Sequence, residues 1–279
     1  MRSILFAAAA ILPLTLTSQI ASADDNSEAV SLEEVLASDI RDDDRARDQY
    51  RRPAETLAFF QVEPGHTVAE YGPGGGWYSR VLAPYVMPTG KYIAFNRDSD
   101  GRSYRNRAQE ARTKAWTENF KRNLAETLDI ESDAVTAFET DEMPEELEGT
   151  VDRVLIFRSM HGLINGNVAD EVLRSVRTML ADDGMVGVVQ HRAKADASWD
   201  DVNPAPGYVR QADIVKIFEV NGFEVVSSSE LNANPKDSAD WEGGVWALPP
   251  VLRYGEEDRA KYLAIGESDR MTLLFRKAD

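Results

Sequence analysis

Residues 67–78 contain the clearest pattern in this chain for binding a small ligand. Residues 68–71 predict a short buried strand, and a helix begins near residue 77. Between them lies a turn with the spacing G-x-G-x-G, formed by Gly72, Gly74 and Gly76. Glycine lets a ligand approach the backbone N–H groups and accepts a positive φ without steric cost. The turn therefore indicates a ligand site, with Glu70 close to the strand end.

The spacing of the glycines argues against a dinucleotide cofactor. Dinucleotide-binding folds use G-x-G-x-x-G, which requires a glycine at the position where this chain has Trp77. An oxidoreductase that uses a nicotinamide cofactor is therefore disfavoured.

Two of the three histidines follow predicted strands. His161 and His191 come after the fourth and fifth strands, whereas His66 lies in a turn before the first. A neutral imidazole can accept a proton near pH 7, so His161 and His191 are candidate bases. The alternative is that each histidine only closes a loop through hydrogen bonds. Arg158 and Arg192 stand next to them and are candidates for binding an anionic group.

The rest of the chain predicts the scaffold that would position these residues. Runs rich in Val, Ile and Leu predict strands at 68–71, 91–95, 135–138, 154–157, 185–190, 223–227 and 271–276. Helical patterns occur at 53–60, 77–84, 104–128, 168–180 and 209–221. This alternation predicts a doubly wound α/β domain with a mainly parallel sheet, in which ligands bind beyond the carboxyl ends of the strands. Residues from about 230 to 270 predict a cap insertion between the last two strands.

The N-terminal residues predict export. Arg2, an apolar run and an A-x-A site ending at Ala23 are typical of a cleaved secretory signal peptide. We therefore expect a periplasmic or secreted protein without membrane insertion after cleavage. Residues 24–47 predict a flexible acidic leader, and 48–279 a single domain.

Composition restricts the partners. Among 279 residues, 48 are acidic and 31 are Lys or Arg, which gives a formal net charge of −17. Such a balance argues against nucleic-acid binding, which requires clustered basic residues, and favours small neutral or cationic substrates. The chain has no cysteine and no spacing that demands a metal, so we expect neither a disulfide nor a resident metal.

Together with the strand and helix around it, the glycine turn resembles motif I of class I S-adenosylmethionine-dependent methyltransferases. The chain also resembles a family of exported bacterial proteins described as predicted methyltransferases. The matching stretches span nearly the whole chain after residue 23: the glycine turn and residues 50–60, 155–161, 188–193, 234–237, 248–250 and 265–273.

This resemblance implies roles for individual residues. The three glycines would admit S-adenosylmethionine, and Glu70 would orient the turn or the amino group of the cofactor. His161 or His191 would act as a base or position the acceptor. The positions implied for the substrate side are Arg158, Tyr208 and Tyr50, and those near the adenine are Glu139 and Asp141.

One position departs from the class I pattern. These enzymes usually have an acid at the end of the second strand, where it binds the ribose hydroxyls, but this chain has Asn96 there and Asp98 two residues later. An amide offers one acceptor oxygen where a carboxylate offers two. Either Asp98 reaches the ribose, or the ribose is held more weakly.

Two functions from different classes remain open. The first is an S-adenosylmethionine-dependent methyltransferase acting on a small molecule. The second is an exported, non-catalytic protein that keeps the methyltransferase fold and binds another small ligand; Asn96 and the cytoplasmic origin of the cofactor favour it. The sequence does not determine the acceptor or the oligomeric state.

Overall fold

The computed structural model describes residues 29–100, 102–198 and 206–279. In chain order the helices and strands are α1 Leu32–Ala37, α2 Asp48–Arg51, α3 Pro53–Phe59, β1 Thr67–Tyr71, α4 Ser79–Val86, β2 Lys91–Asn96, α5 Arg107–Lys114, α6 Trp116–Leu128, β3 Thr136–Glu139, β4 Val151–Phe157, α7 Met160–Asn165, α8 Ala169–Met179, β5 Leu180–His191, α9 Gln211–Val220, β6 Phe223–Ser229, α10 Arg259–Ile265 and β7 Arg270–Lys277. The predicted signal peptide, residues 1–23, lies outside the described residues.

The strands form one seven-stranded sheet in the order β3-β2-β1-β4-β5-β7-β6. The pairs from β3 to β5 are parallel, and β7 runs antiparallel to both β5 and β6. The prediction of a doubly wound α/β fold with a mainly parallel sheet is therefore confirmed. Because β7 is antiparallel, its first residue lies at the same sheet edge as the last residues of β1, β4 and β5.

Strand β4 shows why the central strands are apolar throughout. Val154 and Ile156 pack into the core on one face of the sheet, and Leu155 and Phe157 pack into the core on the other. A parallel sheet covered by helices on both faces needs apolar side chains at every position of its central strands. Because both faces of the central strands are packed, their carboxyl ends hold the loops that follow in fixed positions.

Two features of the helices differ from the prediction. The helix expected over 104–128 is divided at Ala115 into α5, none of whose residues is buried, and α6, which buries Phe120 and Leu124. A helix with no apolar face has no packing to keep it in line with its neighbour. The short helices α2, α7 and α10 were not predicted, because four to seven residues carry too little periodicity.

The segment expected to be a flexible acidic leader packs against the domain from residue 29 onward. Val35 and Arg41 are buried, and Arg41 pairs with Asp48 at 2.7 Å. Asp44 pairs with Arg80 at 2.6 Å, which ties this segment to α4. The prediction of a free leader over these residues is therefore wrong, since its acids have arginine partners that a linear pattern does not reveal.

No helix in the three described ranges is long and apolar enough to cross a membrane. The segment between β6 and β7 contains α10 and a short 3-10 helix, Gly244–Ala247. It lies where the sequence predicts the cap insertion.

Candidate functional site

The glycine turn has the backbone geometry that only glycine adopts readily. Gly72, Gly74 and Gly76 all have positive φ, at 57°, 59° and 74°. The Gly72 N–H donates to the Phe95 carbonyl at 2.8 Å, which ties the turn to the end of β2. A Cβ added at Gly74 would meet only the Gly72 carbonyl oxygen, at 4.0 Å, so this turn faces open space. It can therefore accept a ligand close to its backbone.

A cavity of about 410 Å³ opens at this turn, on the carboxyl edge of the sheet. It brings together five of the predicted site residues, from the ends of β1, β2 and β4: Gly72, Gly74, Asn96, Arg158 and His161. Gly76 lines a smaller adjoining cavity. Since these residues come from three separate loops, their convergence is a consequence of the sheet topology.

Glu70 lies below the turn rather than in the cavity. Its buried carboxylate accepts hydrogen bonds from Ser79 Oγ at 2.8 Å and Tyr92 Oη at 2.7 Å. Burial raises the pKa of Glu70 to about 7, although these two hydrogen bonds oppose the shift. The geometry fits the role of orienting the turn, through Ser79 at the start of α4. It does not place Glu70 among the residues that line the cavity.

The two candidates for the ribose position occupy different places. Asn96 lines the 410 Å³ cavity, and its Oδ1 accepts from the Arg97 N–H at 3.0 Å. Asp98 instead lines an adjoining cavity, and its Oδ1 accepts from the Asp100 N–H at 2.5 Å. In this structure Asn96, rather than Asp98, therefore faces the glycine turn.

The predicted adenine contacts cluster beside Asp98. Carboxylate oxygens of Asp98, Glu139 and Asp141 lie within 4.8 Å of one another. Glu139 accepts from the Ser99 N–H at 2.7 Å, whereas Asp141 is exposed. Glu139 thus holds the loop after β2 in place, and Asp141 is the more accessible of these two acids.

The two candidate bases lie next to each other. The ring centroids of His161 and His191 are 5.8 Å apart, and the ring of Trp246 lies 5.9 Å from that of His161. Burial lowers the pKa of both histidines, most strongly that of His191. Both are therefore neutral near pH 7, with a lone pair available for a proton, although the lowered pKa makes His191 the weaker base of the two.

Hydrogen bonds hold both imidazoles in place. His191 Nδ1 lies 2.5 Å from Ser268 Oγ, and His161 Nδ1 lies 3.4 Å from Gln190 Nε2. Where Ser268 accepts from Nδ1 of His191, the Nε2 atom of that ring carries the free lone pair. For His161 the amide of Gln190 donates to Nδ1, so Nε2 of that neutral ring carries the proton.

The two arginines beside the histidines differ in their partners. Arg192 is engaged with Asp269 at 2.9 Å and Glu230 at 2.6 Å, so it serves the scaffold. Arg158 has a left-handed φ of 55°, and its Nη1 is buried without a hydrogen-bond partner. Such a backbone conformation costs about 1–3 kcal/mol in a non-glycine residue, and residues strained in this way cluster at functional sites.

The two tyrosines predicted for the substrate side lie away from the 410 Å³ cavity. Tyr208 is buried, and its hydroxyl donates to Asp237 at 2.9 Å. Tyr50 lines a different cavity, and its carbonyl accepts from Arg270 Nη2 at 2.6 Å. Tyr208 thus anchors the segment between β6 and β7, and Tyr50 anchors the start of β7. This geometry does not support a direct role for either tyrosine in binding substrate.

Trp246 and Arg270 are among the contributors to the site that sequence reasoning missed. Trp246 comes from the insertion between the last two strands and reaches His161 from above the sheet edge. Arg270 is the first residue of β7 and pairs in register with His191. The signal for Arg270 was present in residues 265–273, which resemble the family, but the antiparallel direction of β7 was needed to place it.

The comparisons with known proteins identify the fold. No protein-family model and no curated protein matches the chain. Among solved structures, the geranyl diphosphate C-methyltransferase from Streptomyces coelicolor is 13% identical over 88% of this chain and 83% of its own, with a TM-score of 0.51.

Two further solved structures are similar at lower TM-scores. A SAM-dependent methyltransferase from Aquifex aeolicus is 18% identical over 73% of this chain and 94% of its own, with a TM-score of 0.48. A cyclopropane-fatty-acyl-phospholipid synthase-like protein from Lactobacillus casei is 19% identical over 89% of this chain and 98% of its own, at 0.49. With its strand order and the Streptomyces structure as neighbour, the chain has the Rossmann-like fold of the class I methyltransferases.

Proposed function

We propose that this protein is an S-adenosylmethionine-dependent methyltransferase that acts on a small-molecule acceptor. The observation that carries the proposal is the turn of three left-handed glycines beside the 410 Å³ cavity, in a sheet of this strand order. The open space at Gly74, where a Cβ would project freely, fits a cofactor lying against the backbone.

The chain's own residues supply positioning and proton transfer. When bound, S-adenosylmethionine would supply an electrophilic methyl group to the acceptor's lone pair, with the electrons of the broken carbon–sulfur bond left on sulfur. The glycine turn and Asn96 hold the cofactor, and His161 or His191 takes the proton that the acceptor loses. Alignment of the reacting atoms accounts for most of the acceleration in such a displacement.

The test of this function is calorimetric titration of S-adenosylmethionine, and then S-adenosylhomocysteine, into the purified chain. We expect micromolar binding of both, with one site per chain. If a folded chain binds neither at millimolar concentration, the methyltransferase proposal fails. The second candidate, a non-catalytic protein that binds another small ligand in this cavity, would then remain; Asn96 in place of the usual acid favours it.

Replacing Asn96 with Asp is expected to tighten binding of S-adenosylhomocysteine by about fivefold. A carboxylate offers two charged acceptor oxygens to the ribose hydroxyls, and a charge-assisted hydrogen bond is about twice as strong as a neutral one. Calorimetry on Asn96→Asp measures this gain. Asp98→Asn serves as the matched variant, and we expect its affinity to be unchanged. A loss of affinity in Asp98→Asn, with none gained in Asn96→Asp, would place the ribose at Asp98 instead.

Export of the protein is also a proposal. It is supported by the basic, apolar and A-x-A segments of residues 1–23. Such an enzyme would act on a periplasmic or secreted small molecule and would need cofactor delivered from the cytoplasm.

A further inference from the structure

Four arginines from separate parts of the chain gather around a single buried carboxylate. Glu267 accepts from Arg47 Nε at 2.6 Å, Arg51 Nε at 3.2 Å and Arg270 Nη1 at 3.0 Å. Arg158 is close enough to repel the charge of Arg51. We call Arg47, Arg51, Arg158, Arg270 and Glu267 the arginine centre.

The arginine centre carries an excess of positive charge. Within the group four guanidinium groups face one carboxylate, which leaves three positive charges uncompensated; Glu70, a further acid that interacts with Arg158, is buried with its pKa raised to about 7. Burial, and then repulsion from Arg158, lower the pKa of Arg51 to about 8. A guanidinium keeps its proton in proteins, so Arg51 is a cation held in an environment that disfavours its charge. The chain as a whole has a net charge of −17, so this local excess is opposite in sign to its surroundings.

Two guanidinium nitrogens in this centre have nothing to donate to. Nη1 of Arg51 and Nη1 of Arg158 are both buried without a hydrogen-bond partner. The Arg51 side chain is only 4% exposed, and its guanidinium lies over the Trp77 ring, 4.5 Å from the ring centroid. Buried charged donors are almost always paired in folded proteins, so two orphaned ones in one place indicate a missing acceptor, such as an oxyanion.

The arginine centre adjoins both the cavity and the candidate bases. Arg158 lines the cavity together with Gly72, Gly74 and His161. Arg158, Arg270 and Arg51 also act on His191, where their charges add to burial in lowering its pKa. Arg158 is thus the member through which the arginine centre meets the cavity, on the side where His161 also lines it.

The charge of the cofactor argues that the oxyanion belongs to the acceptor. S-adenosylmethionine carries a sulfonium, an ammonium and one carboxylate, so its net charge is positive. A centre with three excess positive charges disfavours such a cation and favours an anion. An anionic acceptor would also offset the repulsion between the arginines and the sulfonium.

We propose that the methyl acceptor is an anionic small molecule whose carboxylate or phosphate group binds Arg51 and Arg158 beside His161 and His191. This inference rests on the proposed methyltransferase function and specifies its substrate class. It replaces the expectation of a neutral or cationic substrate, which was drawn from the charge of the whole chain.

Two oxyanion probes test the proposal. Benzoate and phenyl phosphate are titrated separately, by calorimetry in buffer without phosphate, into the chain saturated with S-adenosylhomocysteine. We expect one of them to bind with one site per chain, and the one that binds identifies a carboxylate or a phosphate. We expect Arg158→Gln to weaken this binding at least tenfold. Arg158→Lys should weaken it less, because lysine keeps the positive charge but cannot donate two parallel hydrogen bonds as a guanidinium does.

Arg192→Gln is the matched control, because Arg192 also follows a central strand but is already paired with Asp269 and Glu230. We expect it to bind the probe as the parent chain does, with all variants checked for folding by thermal unfolding. Binding of neither probe would overturn the proposal. Competition between the probe and S-adenosylhomocysteine would also overturn it, because the arginines would then hold the cofactor's own carboxylate.

Failure of the proposed function is visible in the same experiment. If S-adenosylhomocysteine does not bind, the methyltransferase role fails, and with it the acceptor. The probes are then titrated into the chain alone. Binding that is lost in Arg158→Gln would still support the arginine centre as an oxyanion site.

Discussion

Gly74→Val is expected to weaken binding of S-adenosylhomocysteine by at least about a hundredfold, or ~2.7 kcal/mol. The added side chain would project into the open space at the turn, since a Cβ there has its nearest neighbour at 4.0 Å. It would therefore occupy the volume that the proposed cofactor needs. The left-handed φ of 59° adds strain of about 1–2 kcal/mol, which lowers stability without unfolding a domain of this size.

Gly75→Val is the matched control for this prediction. Gly75 is the next residue in the same turn, and a Cβ added there meets nothing within 4 Å. It lines the smaller cavity of about 130 Å³ on the side of Arg80 and Phe120. Calorimetry should show a large loss of affinity for S-adenosylhomocysteine in Gly74→Val and little change of affinity in Gly75→Val. If Gly74→Val keeps the parent affinity, the glycine turn does not hold the cofactor.

The parts of the site that the sequence predicted well have local signals. An apolar strand followed by Gly72, Gly74 and Gly76 indicates a turn through short-range backbone sterics alone. The strand order places the ends of β1, β2 and β4 at one edge, so Asn96, Arg158 and His161 meet there once the fold is known. Alternation of strands and helices was therefore enough to predict the mainly parallel sheet and five of the residues that line the cavity.

The arginine centre was beyond the reach of such reasoning. Its members lie at positions 47, 51, 158, 267 and 270, and they meet because β7 runs antiparallel beside β5. Nothing in the local sequence of residues 265–273 fixes the direction of that strand. Net charge led to the expectation of a neutral or cationic substrate, and the proposed anionic acceptor differs from it, because a count of 48 acids over the whole chain says little about one buried cluster.

Side-chain contacts explain why the other predicted residues differ from expectation. Tyr208 and Tyr50 have the residue type and sequence position of substrate contacts. However, the Tyr208 hydroxyl donates to Asp237, and the Tyr50 ring packs against Gly266. Likewise, Arg41 and Asp44 look like part of a solvated acidic leader until Asp48 and Arg80 are seen beside them. These contacts join residues that are as far apart in the chain as Tyr50 and Gly266, so they depend on the three-dimensional fold.

Glu70→Gln is expected to change how the stability of the protein depends on pH. The pKa of Glu70 is raised to about 7 from an ordinary 4.5, mainly by burial. Between these two pH values the folded chain holds the proton and the unfolded chain releases it. The free energy of unfolding therefore falls as the pH rises through this window, because the parent chain must bury a carboxylate. Gln cannot ionise, and it keeps an oxygen that can accept from Ser79 and Tyr92.

The measurement is chemical unfolding of the parent chain and Glu70→Gln at pH 5 and at pH 8.5. Relative to the parent, the variant should gain about 2–3 kcal/mol between these pH values, which follows from a shift of that size at 1.36 kcal/mol per pKa unit. Glu126→Gln removes the same charge from an exposed position on α6. The difference in free energy of unfolding between Glu126→Gln and the parent should be the same at both pH values. A constant difference for Glu70→Gln as well would mean that Glu70 is ionised throughout, and that its contacts with Ser79 and Tyr92 outweigh the cost of burial. The turn would then be anchored by a charged carboxylate, which would add a negative charge beneath the proposed cofactor site.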